Sequence, residues 1–90
     1  MLFLNLDKRA QKFLHKLPPK QFAQIDVSIS ALRENPFPHD SKHLKGMDWY
    51  RVDVGEYRII YAVRGNVLDV PIIGKRNDGD VYKRLKRLEG

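Results

Sequence analysis

The first third of the chain repeats apolar residues with the period of an α-helix. One stripe, spaced i, i+3, i+4, i+7, comprises Ala10, Phe13, Leu14 and Leu17. A second stripe comprises Phe22, Ile25, Ile29 and Leu32. The sequence "LPPK" separates the stripes and "ENPFP" follows the second, and proline cannot continue a helical hydrogen-bond ladder. The pattern predicts a short strand at "FLNL", then a helical hairpin that needs another apolar surface to pack against.

The middle of the chain contains three segments rich in the β-branched and aromatic residues that favour β-strands. These segments cover residues 49–54, 57–63 and 67–74. Two-residue loops that begin with glycine separate them, which predicts an antiparallel meander. The first loop places Asp53 opposite Arg58. Pro71 has no backbone N–H to donate, so it predicts an edge position or a bulge in the third strand.

The two faces of this sheet differ in chemistry, because successive side chains of a strand point to opposite sides. The apolar face comprises Tyr50, Val52, Val54, Tyr57, Ile59, Tyr61, Val63, Leu68, Val70 and Ile72. The partly charged face comprises Trp49, Arg51, Asp53, Arg58, Ile60, Ala62 and Asp69. We expect the helical hairpin to cover the apolar face. The predicted fold is therefore α+β: an antiparallel β-sheet with the N-terminal helical hairpin on one face, and a short C-terminal helix.

The tail "DGDVYKRLKRLEG" predicts this C-terminal helix, with Asp78 or Asp80 near its N-terminus. Its narrow apolar stripe comprises Val81, Leu85 and Leu88. Tyr82 lies at the border of the stripe. We expect its ring to rest against the sheet while its hydroxyl faces solvent.

Length and charge add a kind of partner to this fold. A chain of 90 residues predicts a single domain covering residues 1–90. Seventeen Lys and Arg against eleven Asp and Glu give a net charge of +6, which favours a polyanionic partner, although a basic protein without one has the same composition. There is no cysteine, and no apolar run approaches the ~20 residues that span a membrane. We expect a cytoplasmic protein that binds neither membrane nor metal, since His39 and His43 have no third ligand in view.

Arginines on the charged face indicate a phosphate-binding site. Arg51 and Arg58 share that face and Arg76 follows the third strand, and planar guanidinium groups bind phosphate oxygens in pairs. The lysines that would widen the positive field are Lys45, Lys75 and Lys83. Trp49 and Tyr82 offer rings on which a base could stack, as in the recognition of single-stranded RNA. The alternative is a plain cross-strand ion pair beside a solvated arginine.

The stretches "HLKGMDWYRVDVGEYRIIYAV" and "IIGKRNDGDVYKRL" resemble the RelE/ParE superfamily of bacterial toxin–antitoxin toxins, and the RelE branch in particular. The resemblance covers nearly the whole chain and implies an open basic cleft opposite the helical hairpin. It implies ribosome-dependent endoribonuclease activity on mRNA, in which the ribose 2′-hydroxyl attacks the adjacent phosphate and leaves a 2′,3′-cyclic phosphate. This chemistry requires no metal and no cofactor. The expected partners are the ribosome, mRNA and a cognate antitoxin whose acidic, partly disordered segment displaces the last helix or covers the arginines.

The resemblance also implies roles for individual residues. Arg58 would stabilise the transition-state phosphate, and Arg76 would neutralise charge on the phosphate or the leaving group. Tyr82 would stack on a base or assist proton transfer, and Arg51 would hold the RNA backbone. Asp53 departs from the RelE pattern, which has at this position a lysine implicated as the base.

This aspartate leaves more than one function open. A carboxylate paired with Arg58 is a weak base and repels phosphates, so Tyr82 and Glu56 are alternatives to Asp53 as the base. The rival functions are a ParE-like inhibitor of DNA gyrase that performs no chemistry, and a catalytically weakened family member.

Overall fold

The computed structural model describes residues 1–77 and 79–89. Along the chain it contains β1 (Phe3–Leu6), α1 (Lys8–His15), α2 (Pro19–Glu34), β2 (Lys42–His43), β3 (Tyr50–Val54), β4 (Tyr57–Arg64), β5 (Val67–Lys75) and α3 (Asp80–Glu89). Asp78, one of the two residues predicted near the start of the last helix, lies outside the described residues. No helix in the described part of the chain is long and apolar enough to cross a membrane.

The strands form one five-stranded sheet in the order β1-β5-β4-β3-β2. The segments β3 to β5 pair in antiparallel fashion, as predicted. In addition, β2 pairs with β3 in antiparallel fashion, and β1 pairs with β5 in parallel. The sheet is therefore mixed, because the chain crosses from β1 through the helices to the far edge and then meanders back. The predicted α+β fold class is confirmed.

The prolines and the Asp7 cap determine where the two N-terminal helices begin and end. The Asp7 side chain accepts a hydrogen bond from the backbone N–H of Arg9, which caps α1. Pro19 stands in the first turn of α2, where a missing N–H costs nothing. Asn35, which precedes Pro36, is extended, and α2 ends before it. The buried positions of the two helices fall on the predicted stripes: Ala10, Leu14, Ile25, Ile29 and Leu32.

A bulge in β5 exchanges the faces that its side chains occupy. Ile60 pairs with Ile72 whereas Ala62 pairs with Asp69, so β5 has one residue more than β4 between these pairs. Pro71 lies in this interval, so the predicted bulge is confirmed. The alternative, an edge position, is wrong because β5 lies between β1 and β4 in the sheet. The placement of Ile72 on the apolar face is consequently wrong. Ile73 occupies the hairpin side instead.

The second face of the sheet has an apolar core of its own. We call it the α3 cluster; it comprises Leu44, Trp49, Ile60, Ala62, Ile72, Val81 and Leu85. Gly74 permits the close approach of α3, because a Cβ there would lie 2.5 Å from Cγ1 of Val81 and 2.7 Å from Nη2 of Arg84. Leu88 is 49% exposed and does not extend the stripe as predicted. Helix α3 therefore covers part of the expected open cleft, and the charged part remains near the β3–β4 turn.

Candidate active site

The β3–β4 hairpin brings Asp53 and Arg58 together. Their backbones are direct partners in the antiparallel register. Nε of Arg58 donates to Oδ1 of Asp53 at 2.7 Å, and Nη2 donates to Oδ2 at 3.2 Å. Two parallel hydrogen bonds of this kind are the strong geometry for an arginine and a carboxylate. The predicted cross-strand pair is confirmed.

This pairing determines the protonation of both groups. The hydrogen bond from Arg58 lowers the pKa of Asp53 below its ordinary value, and the charges of Arg58, Arg51 and Arg76 act in the same direction against partial burial. The same hydrogen bond raises the pKa of Arg58. Asp53 is therefore ionised at neutral pH, and a carboxylate with a lowered pKa is a weak proton acceptor.

Helix α3 supplies the second partner of this guanidinium and its third hydrogen bond. Nη1 of Arg58 donates to the hydroxyl of Tyr82 at 2.6 Å. The Arg58 side chain is only 12% exposed, and its Cζ lies 5.7 Å from the centroid of the Tyr82 ring. The Tyr82 hydroxyl was expected to face solvent; instead it accepts this hydrogen bond, because packing of α3 on the sheet carries it over β4. All three nitrogens of Arg58 are thus hydrogen-bonded.

Two more arginines lie around the Asp53 carboxylate. Nη1 of Arg51 is 3.9 Å from Oδ2 of Asp53. Arg76 is exposed in the turn after β5, where its backbone N–H donates to the carbonyl of Glu56 at 2.9 Å. The structure therefore gathers Arg51, Arg58, Arg76 and Tyr82 around Asp53, and we call these five residues the Arg58 site. Glu56 lies beside it in the exposed turn.

Trp49 does not belong to this site. It is 7% exposed in the α3 cluster, and Cζ of Arg64 lies 4.8 Å from its ring centroid. The prediction that this ring offers a stacking surface is therefore wrong. The sequence contained an indication of this burial, because Trp49 shares its sheet face with the apolar residues Ile60 and Ala62. These residues form an apolar surface on which the apolar stripe of the last helix can pack.

The three predicted lysines lie at different distances from the Arg58 site. Lys83 is exposed on α3 next to Tyr82. Lys75 pairs with Tyr57, so strand alternation directs its side chain to the hairpin side rather than the charged face. Lys45 follows β2 at the opposite end of β3 from Asp53. Of the three, Lys83 is the one that shares a helix with Tyr82.

Two residues near the site were not anticipated. A pocket of about 290 Å³ is lined by Asp40, Lys42, Arg51, Asp53 and Arg58. Lys42 belongs to β2, which is two residues long and pairs Lys42 directly with Arg51. A strand this short has no periodicity to detect, so its pairing could not be predicted from the sequence.

Comparison with known proteins agrees with this architecture. Residues 4–78 match the family described as the ParE toxin of the type II toxin–antitoxin system parDE. The chain belongs to the RelE/ParE superfamily of type II toxins. A RelE1 toxin candidate of Methanocaldococcus jannaschii is 39% identical over 64 residues, which cover 67% of this chain and 71% of that protein.

Solved structures of RelE toxins share the fold of this RelE/ParE chain. A mutant of Escherichia coli RelE in the free state superposes with a TM-score of 0.80 at 30% identity, over 96% of both chains. The intact E. coli RelBE toxin–antitoxin complex gives a TM-score of 0.74 at 30% identity, over 83% of this chain and 96% of that chain. The archaeal RelE–RelB complex of Pyrococcus horikoshii OT3 gives 0.75 at 26% identity, over 83% and 94%.

Proposed function

We propose that this toxin is a ribosome-dependent endoribonuclease that cleaves mRNA and so inhibits translation in the cytoplasm. The observation that carries the proposal is the Arg58 site: a nearly buried guanidinium held by Asp53 and Tyr82, with Arg51 and Arg76 beside it. Cationic donors fixed in advance stabilise charge that develops on a phosphate in the transition state. Such a preorganised group of arginines is more typical of an enzyme that binds a phosphate than of a flat protein-binding surface.

In the proposed reaction, the ribose 2′-oxygen attacks the adjacent phosphorus and loses its proton to a base. The bond from phosphorus to the 5′-oxygen breaks, and that oxygen takes up a proton. The products are a 2′,3′-cyclic phosphate and a 5′-hydroxyl. Arg58 and Arg76 would stabilise the phosphorane charge, and Arg51 would hold the backbone.

The 2′-hydroxyl needs a proton acceptor close to the Arg58 site. Asp53, Tyr82 and Glu56 are the candidates, and the lowered pKa of Asp53 makes it a weaker base than an ordinary aspartate. The phosphate must also compete with Asp53 for Arg58, because all three guanidinium nitrogens already have partners. We therefore expect cleavage to be slower than it would be with a neutral residue in place of Asp53.

The proposed partner that controls this activity is an antitoxin. Two of the similar solved structures are RelE–RelB and RelBE toxin–antitoxin complexes. An acidic segment suits a chain of net charge +6, and it would act by covering Arg51, Arg58 and Arg76 or by displacing α3. Displacement of α3 would remove Tyr82 from Arg58. Unchanged hydrogen exchange in α3 and the β3–β4 hairpin on complex formation would contradict this mode.

The proposed activity is tested by mapping mRNA 5′ ends in a translation extract. Wild-type protein should produce cuts in the decoding site of ribosomes, and Arg76→Ala should abolish them at unchanged thermal stability. Lys12→Ala, an exposed lysine on α1, serves as the charge-matched control. Asp53→Ala then shows whether the aspartate competes with RNA for Arg58, in which case cuts increase, or is needed as the base or to position Arg58, in which case cuts vanish.

Inhibition of DNA gyrase is a second candidate function. The family description names ParE, and the carboxylate of Asp53 on Arg58 is unfavourable for phosphate chemistry. A supercoiling assay separates the two candidates. Loss of gyrase supercoiling together with intact mRNA on translating ribosomes would replace the nuclease proposal.

A further inference from the structure

Strand β2 adds a lysine to the charged face beside the Arg58 site. Lys42 is the direct antiparallel partner of Arg51. Directly opposed residues of an antiparallel pair project to the same face of the sheet, so Lys42 stands beside Arg51. Both line the pocket of about 290 Å³ that extends from Arg58 to the β2 edge.

The charge of this pocket depends on Lys42. Its walls carry the carboxylates of Asp40 and Asp53 and the guanidinium groups of Arg51 and Arg58. Without the lysine these charges would balance, and a neutral pocket has no net attraction for a phosphate. Lys42 makes the pocket positive.

Lys42 is also available to a ligand. The two arginines already contact Asp53, at 2.7 Å from Arg58 and 3.9 Å from Arg51. Among the residues that the structure describes, none forms an ion pair or hydrogen bond with the ammonium group of Lys42. This side chain is exposed, so a phosphate reaches it without displacing a protein partner.

We propose that Lys42 binds the RNA phosphate next to the cleaved one, so that the strand runs from Arg58 across β3 toward the β2 edge. The inference rests on the proposed function, since it takes the Arg58 site as the place of cleavage. Lys42 is an RNA-binding residue in this arrangement and takes no part in proton transfer.

The first test measures binding of a fluorescein-labelled single-stranded RNA by anisotropy, at several salt concentrations. One lost phosphate contact lowers the slope of log affinity against log salt by about 0.7. With equal affinities at about 1 M salt, the variant then binds roughly fivefold more weakly than wild type at about 0.1 M salt and roughly eightfold more weakly at about 0.05 M. We expect this for Lys42→Ala and not for Lys12→Ala, which removes the same charge from α1. Equal affinity and slope for the two variants would overturn the proposal.

The second test uses Lys42→Arg, which keeps the charge. It should retain both RNA affinity and ribosomal cleavage, and retained affinity with lost cleavage would overturn the binding role in favour of proton transfer. Failure of the proposed function has a different signature. In that case wild-type protein leaves mRNA intact on ribosomes, while the affinities of Lys42→Ala and Lys12→Ala for free RNA still differ.

Discussion

The ion pair between Asp53 and Arg58 should stabilise the fold and oppose RNA binding. A double-mutant cycle with Asp53→Asn, Arg58→Met and the double variant isolates the coupling between the two side chains. Asparagine keeps the shape of aspartate, and methionine keeps much of the packing of the arginine stem. The stabilities come from urea denaturation followed by circular dichroism.

The magnitude follows from the geometry and the exposure of the pair. Hydrogen bonds to charged groups contribute about 1.5–3 kcal/mol, whereas exposed ion pairs contribute about 0.2–1 kcal/mol. Asp53 is 33% exposed and Arg58 12%, so the pair lies between these cases. We expect a coupling of about 1–2 kcal/mol, and each kcal/mol lowers the melting temperature by about 4–8 °C in a domain of this size.

The pH dependence has a definite sign. An aspartate has an ordinary pKa of 3.8, and the pKa of Asp53 is lower than this in the folded protein. The native state therefore favours the ionised form. The stabilisation is therefore complete above the unfolded pKa and is lost as the pH falls through the folded pKa. Wild type should exceed Asp53→Asn in stability at pH 7, and the difference should shrink as the pH falls below about 4.

Two results would refute this reasoning. One is a coupling energy no larger than ~0.3–0.5 kcal/mol, which is the deviation from additivity found for sites that do not interact. The other concerns RNA affinity, which should rise in Asp53→Asn because a negative charge leaves the site and Arg58 becomes available. Weaker RNA binding by Asp53→Asn would mean that the carboxylate positions Arg58 for the phosphate rather than competing with it.

Three further substitutions test the role of α3 and its cluster. Gly74→Ala should loosen α3, because its Cβ would meet Val81 at 2.5 Å; faster hydrogen exchange in α3 checks this, and unchanged exchange would contradict it. Tyr82→Phe removes an acceptor from Arg58 and should cost about 1 kcal/mol in urea denaturation; unchanged stability would contradict the contact. Trp49→Phe should lower stability by about 1–3 kcal/mol with unchanged RNA affinity, and a specific loss of RNA binding would return Trp49 to the site.

Local patterns were sufficient to predict much of this molecule. The two-residue loop at Gly55 leaves one register for the hairpin, so the contact of Asp53 with Arg58 could be read directly from the sequence. The helical stripes and the prolines between them likewise predicted α1 and α2 close to their observed bounds. Short-range geometry determines these features, and the residues that determine it are neighbours in the chain.

Other features depend on contacts between distant segments. The bulge at Pro71 was predicted as one of two alternatives, but its effect on Ile72 depends on the pairing with β4. Trp49 is buried in the α3 cluster, which also contains residues of β4, β5 and α3. Lys42 joins the charged face through a strand of two residues.

The α+β fold class, the charged face and the pair of Asp53 with Arg58 follow from local sequence patterns, because periodicity and turn length act over a few residues. Three features depend on the assembled fold: α3 covers part of that face, the Tyr82 hydroxyl reaches Arg58, and Lys42 lies at the open end. The physical reason is that these arrangements result from packing α3 and β2 against the sheet, and the shape of that packing is a property of the whole fold.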